Sequence, residues 1–239
     1  MCMEYAELAH EQDRITTSIL NSALADAECL KSLTKSYCII KDMGDCIEAI
    51  SDRREKNLFS HALKEYQFAL FAVNQGFYRH AFSALRLSFE LWLSAIEFST
   101  NELSLRGWEK GSNDINWRRL IDNQTGVFSV NFIRAFCNNI DDRGPHYRAL
   151  AERVYRECSE YVHGNASTHE ELPSEFGFSR LAVIEWCEKA STIHMVNLFS
   201  FFIRYATDLP IEKKSKVENP ILSVLSHIKE VRITFGADA

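Results

Sequence analysis

The chain has 239 residues, of which 46% are hydrophobic, and only nine glycines and four prolines. This composition excludes a disordered chain and favours an all-α protein, because apolar side chains are sufficient for a core and helix-breaking residues are few. The formal net charge of −6 argues against a protein that coats nucleic acid through its overall charge.

Charge is nevertheless distributed unevenly along the sequence. The segment from 118 to 156 contains seven arginines and four acidic residues, which gives it a charge of +3 and leaves −9 for the rest of the chain. Such an asymmetry would guide an anionic ligand to one region of the surface, although the ordinary charge scatter of helical surfaces produces similar local excesses.

In the first half of the chain, helical periodicity predicts one long or two short helices over 3–33 and another helix over 46–75. Gly44 indicates a turn between them. The helix over 77–98 follows a tight connection at Gly76, so we expect a helical hairpin or one kinked helix. We expect residues 99–113 to form a loop. A short helix then ends at Leu120, and Ser129 begins another that runs to about residue 139.

In the second half, the turn over 141–145 leads into a helix over 146–163, which Pro145 begins and Gly164 ends. A polar loop extends to residue 177, and a long apolar helix covers 178–207. A linker and a small terminal helix follow, although VRITF at 231–235 is typical of a strand. We therefore predict an N-terminal helical extension over 1–45, a helical bundle over 46–207 and a C-terminal extension over 208–239.

The seven cysteines form no CxxC pair and have no zinc-ligand spacing with the histidines. Scattered thiols of this kind are typical of a reduced, cytoplasmic protein, and we expect neither a metal nor another cofactor. The acidic N-terminus lacks the features of a signal peptide. Charged residues interrupt the most apolar stretches, so we expect no membrane span.

The sequence RECSEYVHGN, residues 156–165, contains the pair with the clearest chemical interest. Arg156 and His163 are seven residues apart, so on a helix they differ by only about 20° and form a polar stripe. This stripe lies opposite the predicted core face, which consists of Tyr147, Leu150, Ala151, Val154, Cys158, Tyr161 and Val162. An imidazole exchanges protons near neutral pH and a guanidinium binds phosphate, but a solvated helix surface would also carry such residues.

A second polar stripe lies on the apolar helix over 78–98. Its residues are Arg79, Ser83, Arg86, Glu90, Ser94 and Glu97. Arg86 and Glu90 are spaced for an i, i+4 ion pair, which we expect to be at least half buried. This pair is either a purely structural salt bridge or a support that orients the helix of Arg156 and His163.

The order of these elements, with Arg156 and His163 separated by six residues near the end of an amphipathic helix, resembles the R-x4-6-H motif of HEPN domains. HEPN domains are helical ribonucleases and toxins of prokaryotic defence and toxin–antitoxin systems. The resemblance implies a metal-independent endoribonuclease that acts on RNA as a homodimer, with the two motifs meeting in one groove.

The resemblance also implies roles for individual residues. His163 would be the general acid or base, and Arg156 would neutralise charge on the phosphorus. Arg153, Glu160 and Asn165 are candidates for contacts around the scissile phosphate, and ordinary solvated surface residues would fit the same positions. An antitoxin or a defence-complex protein would be the partner. The alternative is a non-catalytic HEPN-like subunit that binds a partner through the same groove, and the acidic overall charge favours this second interpretation.

Overall fold

A computed structural model describes residues 2–137 and 139–236, with only the backbone of Cys2 and Met3. Within these residues all regular structure is helical, so the prediction of an all-α fold is confirmed. The helices are α1 (Cys2–Ala25), α2 (Ala27–Ala49), α3 (Lys56–Asn74), α4 (Tyr78–Phe98), α5 (Glu102–Glu109), α6 (Trp117–Leu120), α7 (Val130–Phe136), α8 (Gly144–His163), α9 (Ala166–Glu171), α10 (Arg180–Tyr205), α11 (Ile211–Leu225) and α12 (Lys229–Thr234).

The first two helices are separated at Asp26, and the turn predicted at Gly44 is wrong. The Asp26 carboxylate accepts hydrogen bonds from the amides of Glu28 and Cys29, at 3.0 and 2.9 Å, which caps the start of α2. Gly44 lies inside α2, where its neighbours Met43 and Ile47 are buried. Burial of this apolar face outweighs the low helix propensity of one glycine, which costs about 1 kcal/mol.

Helices α3 and α4 form a hairpin, one of the two predicted arrangements, although α3 begins at Lys56 and not at residue 46. Gly76 has φ +78°, a left-handed conformation that reverses the chain between the two helices. The Ser88 hydroxyl donates to the carbonyl of Ala62 at 2.7 Å, and Phe59 packs edge-on against Trp92 at 4.7 Å. This hairpin forms the centre of the bundle, because α8 and α10 both pack against α4.

Stacked aromatic rings fix α8 against its neighbours. Phe82 of α4 stacks on Tyr161 at 3.8 Å, and Phe199 of α10 stacks on Tyr147 at 3.6 Å. The predicted core face is largely confirmed, since Tyr147, Ala151, Val154, Cys158 and Tyr161 are buried. Leu150 is only half buried. The prediction that Val162 belongs to the core is wrong, because its side chain remains 44% exposed.

The N-terminal helices pack on this bundle. Tyr66 of α3 donates to the carbonyl of Ser36 at 2.8 Å, and Asp42 of α2 lies 3.0 Å from His194 of α10. The predicted boundary between residues 45 and 46 falls inside α2, while the boundary after residue 207 lies just beyond α10. The division of the chain into three parts stays a prediction.

Three further local predictions are wrong. The expected loop over 99–113 contains α5, which Asn101 caps through the amide of Ser104 at 3.0 Å. The polar loop after Gly164 contains α9. VRITF contributes to α12 instead of a strand, because Val231 is buried as part of a helical turn that satisfies its own backbone hydrogen bonds. Among the described helices, none is both long and apolar enough to cross a membrane.

Candidate functional site on helix α8

Local sequence signals define both ends of α8. Pro145 occupies the first turn, where its missing amide hydrogen has no helical partner. Gly164 follows the last helical residue, His163, and adopts φ +64°, a backbone conformation that residues other than glycine rarely take. The helix therefore ends at the imidazole, and the chain turns away directly after it.

Arg156 and His163 both lie on the exposed side of α8. The helix runs unbroken between them, so their backbones are about 10 Å apart along one side. Neither side chain makes a hydrogen bond or an ion pair with any residue in the described ranges. Both functional groups are consequently open to a ligand.

The other residues proposed as substrate contacts surround this pair. Arg153 is exposed one turn before Arg156, and Glu160 is half-exposed between Arg156 and His163. Asn165 lies beyond the helix with its side chain exposed, while its carbonyl accepts a hydrogen bond from Thr168 at 2.7 Å. These five residues therefore occupy the last three turns of α8 and the turn that follows.

Arg86 and Glu90 of α4 form an ion pair at 3.2 Å, with side chains only 19% and 16% exposed. Arg86 also donates to the Tyr155 hydroxyl at 2.7 Å, and that hydroxyl donates to Glu90 at 2.5 Å. The three side chains make a closed triangle. The pair thus contacts α8 through Tyr155, the residue before Arg156, and makes no hydrogen bond to Arg156 or His163 themselves.

Trp117 packs against one corner of the triangle. The Trp117 ring stacks on Tyr155 at 3.7 Å and nearly parallel, at 6°. Burial, followed by the hydrogen bond to the Glu90 carboxylate, raises the pKa of Tyr155 to about 12. The phenol is therefore neutral at physiological pH and remains the donor in its bond to Glu90.

Arg79 binds the C-terminal end of α8. Its guanidinium donates to the Tyr161 carbonyl at 2.5 Å and to the Thr168 hydroxyl of α9 at 3.3 Å. A cation is favourable at this position because the last carbonyls of a helix lack helical partners and carry partial negative charge. Arg79 therefore fixes the turn in which His163 and Gly164 lie.

Acidic residues occupy the flank of α8 that faces α10. Lys189 of α10 bonds Glu157 at 3.2 Å and Glu185 at 2.9 Å. The Tyr161 hydroxyl lies within hydrogen-bond distance of Glu171 and Glu185, at 2.9 and 3.1 Å, and burial is the main cause that raises its pKa. This flank is built for packing between helices, whereas the Arg156 side is free.

Three contributors to the site were not predicted as site residues. Arg79 was visible as a member of the α4 polar stripe, seven residues before Arg86, and this spacing could have identified it. Tyr155 and Trp117 gave no such signal, because their roles arise from packing between helices that are distant in sequence. No group of three or more His, Cys, Asp or Glu side chains in the described part of the chain is arranged to hold a metal ion.

Comparisons of the chain with models of known protein families, with curated proteins and with solved structures find no match. An exposed imidazole and an exposed guanidinium, fixed on one side of a packed helix, can transfer a proton and bind a phosphate oxyanion.

Proposed function

We propose that this protein is a metal-independent endoribonuclease that uses Arg156 and His163. The observation that carries the proposal is the free and exposed state of both side chains on one side of α8. Glu157, on the flank that packs against α10, is by contrast paired with Lys189 at 3.2 Å. The resemblance to HEPN domains supports the same conclusion.

The chemistry requires no group beyond these two. His163 would accept the proton of a ribose 2′-hydroxyl while the 2′-oxygen attacks the adjacent phosphorus. The bond from phosphorus to the 5′-oxygen then breaks, and the protonated imidazole returns its proton to that leaving oxygen. The products are a 2′,3′-cyclic phosphate and a 5′-hydroxyl. Arg156 would donate hydrogen bonds to the phosphoryl oxygens as their charge increases.

A homodimer explains how the pair can act on one phosphate. The separation of about 10 Å along the helix is large for two side chains that must converge on a single group. If a second copy packs with its α8 antiparallel across this face, Arg156 of that copy lies opposite His163 of the first. We therefore include a twofold symmetric groove in the proposal.

The biological setting is proposed from the same resemblance. A nuclease of this kind would act as a toxin or as part of antiviral defence, and an antitoxin or a defence-complex protein would restrain it. The exposed stripe of α8 is the surface that such a partner would cover.

Cleavage of RNA in excess chelator tests the enzymatic proposal. We expect the wild type to generate 2′,3′-cyclic phosphate ends, and His163→Ala to lose at least about a hundredfold in rate, the usual contribution of a general acid or base. His146→Ala is the matched control, because His146 is exposed on the first turn of the same helix and should be dispensable. Full activity in His163→Ala would overturn the assignment.

Acidic residues favour a second candidate function, that of a non-catalytic binding subunit. Glu160 lies on the same side of α8 as Arg156, and the whole chain is acidic, so RNA would meet some repulsion at this surface. A protein partner with basic residues would instead be attracted to this surface. This alternative predicts no cleavage by the purified protein, together with loss of a protein complex in Glu160→Lys.

A further inference from the structure

A cleft of about 330 Å³ lies beside the C-terminal end of α8. Two segments enclose it, namely the α3–α4 turn with the first residues of α4, over 76–80, and the loop after α9, over 172–176. The cleft is at the lower end of the size range of small-molecule sites, about 300–1,000 Å³, so it can enclose one ring system but not a duplex.

Aromatic rings form the walls of this cleft. Phe77 is perpendicular to Phe176 at 5.7 Å and to His80 at 6.2 Å. Phe176 is 62% exposed and does not belong to the hydrophobic core. A large apolar ring held at the rim of a cleft offers a face on which a planar ligand can stack.

Hydrogen bonds and close packing hold the frame of the cleft. The Tyr78 hydroxyl accepts from the amide of Ser179 at 2.8 Å and donates to the carbonyl of Gly177 at 3.3 Å, which ties the loop to α4. Gly76 packs so closely on Ile19 of α1 that an added Cβ would lie only 2.7 Å from it. A ligand would therefore meet a largely pre-organised site, which reduces the entropic cost of binding.

The lining of the cleft carries charges of both signs, from Arg79 and Glu175. Arg79 lines it and also reaches the Tyr161 carbonyl, so its guanidinium connects the cleft to the turn of His163 and Gly164. His169 lies at the same turn, since its Nε2 and the Arg79 Nη1 are each 3.8 Å from the position of a Cβ on Gly164. Glu175, in contrast, lines the cleft itself and would repel a phosphate there.

From this arrangement we infer that the cleft binds one nucleobase of single-stranded RNA, stacked on the face of Phe176 and in perpendicular contact with Phe77, next to the phosphate that His163 would act on. The uncharged base suits the aromatic walls, whereas the phosphate backbone passes the cationic turn outside. Stacking of unpaired bases on aromatic side chains is the usual way in which proteins recognise single-stranded RNA. The inference rests on the proposed function and specifies the substrate as single-stranded.

Binding of a short fluorescein-labelled polyadenylate, followed by anisotropy, tests the cleft. The assay uses full-length protein carrying His163→Ala, so that the RNA stays intact. Adding Phe176→Ala should weaken binding at least about fivefold, whereas Phe176→Trp should preserve it, because each stacked base contributes strongly to affinity. Phe68→Ala is the matched control, since Phe68 is 51% exposed on α3, outside the cleft, and its loss should leave affinity unchanged.

Equal affinity of the Phe176→Ala protein and its parent would overturn the inference, as would the absence of any binding by the parent. Because the assay measures binding and not cleavage, its outcome is separate from that of the ribonuclease test. A wild type that cleaves RNA while Phe176→Ala binds normally would refute the cleft alone. A wild type that binds through Phe176 without cleaving would refute the proposed catalysis.

Discussion

At the scale of single residues, Tyr155 connects the polar stripe of α4 to α8. Its hydroxyl satisfies both Arg86 and Glu90, and the Nε of Arg86 is already buried without a hydrogen-bond partner. If the hydroxyl is lost, Arg86 and Glu90 each lose a hydrogen-bond partner.

Replacing Tyr155 with Phe should lower the free energy of unfolding by about 1–2 kcal/mol, because two charged groups lose a partner in a partly buried site. Chemical denaturation at pH 7 measures this change. Tyr37→Phe provides the control, since Tyr37 is exposed on α2 and should be replaceable at no cost. A change within about 0.5 kcal/mol, as for ordinary surface substitutions, would mean that the triangle contributes nothing to stability.

The same pair of proteins gives a pH-dependent prediction. The pKa of Tyr155 is raised to about 12 in the folded protein, above its ordinary value of about 10. The unfolded chain therefore loses this proton first, and stability from Tyr155 declines as the pH rises from 10 towards 12. The difference in unfolding free energy between wild type and Tyr155→Phe should be constant below pH 9 and shrink above pH 10. A difference that grows with pH would contradict the geometry of the triangle.

What the sequence could predict at this scale was limited to contacts within one helix. The i, i+4 spacing of Arg86 and Glu90 predicted their ion pair correctly. The third member, Tyr155, is 65 residues away from Glu90 in sequence, and only the packing of α4 on α8 brings the two together. Helical periodicity contains no information on which side chain of another helix will complete such a cluster.

At the scale of elements, two glycines with similar sequence signals have opposite roles. Gly44 lies inside α2 with no atom within 4 Å of an added Cβ, whereas Gly164 ends α8 at φ +64° with ordinary contact distances around it. Gly44→Ala should stabilise the protein by about 0.5–1 kcal/mol, and Gly164→Ala should destabilise it by about 1–2 kcal/mol. Thermal or chemical unfolding of both variants measures these changes.

Gly164→Asn separates conformation from size, because asparagine tolerates the left-handed region better than alanine. We expect its cost to be smaller than that of Gly164→Ala. If alanine is the better tolerated of the two, the end of α8 cannot depend on the left-handed conformation of Gly164.

Arg79 should control the order of the α8 terminus. In Arg79→Ala the Tyr161 carbonyl and the Thr168 hydroxyl lose their donor, so hydrogen exchange should accelerate over residues 160–171 while α3 stays protected. Exchange measured by mass spectrometry resolves this segment. Arg106→Ala removes only an exposed ion pair of α5 and should leave the pattern unchanged. Unaltered exchange in Arg79→Ala would show that the aromatic packing of Tyr161 is sufficient to fix the end of α8 without Arg79.

Element prediction succeeded where a terminus has its own chemical signal. Pro145 and Gly164 predicted α8 nearly to the residue, and Ser129 marked the start of α7. Gly44 was misleading because tertiary burial of α2 overrides the local preference. The short helices α5 and α9 lie in polar segments, where hydrophobic periodicity is too brief to be recognised.

At the scale of the whole molecule, buried thiols report whether the N-terminal helices unfold with the bundle. Burial raises the pKa of Cys29 to about 11 and that of Cys158 to about 12, so neither should react while folded. Cys38 is exposed and should react at once. Because α2 bonds to α3 and α10, we expect Cys29 and Cys158 to become reactive at the same denaturant concentration in pulse labelling. Labelling of Cys29 at a clearly lower concentration would support the predicted boundary at residue 45.

The arrangement of the helices was the part that the sequence predicted least. The all-α class followed from composition, but the packing of α2 against α10 depends on contacts such as Asp42 with His194, which are 152 residues apart. A single sequence gives no signal for such contacts. The same limit applies to the cleft, since its two walls come from segments about a hundred residues apart.

The central claim is that Arg156 and His163 of two copies form one ribonuclease site, and activity in a mixture of two inactive variants tests it most directly. Arg156→Ala and His163→Ala, each inactive alone, are unfolded together, refolded and assayed for RNA cleavage in chelator. A heterodimer retains one arginine and one histidine in the shared groove, so we predict that the mixture regains measurable activity. A mixture that forms heterodimers but cleaves no RNA, beside an active wild type, would contradict the shared site. Normal cleavage by either variant alone would contradict the catalytic pair.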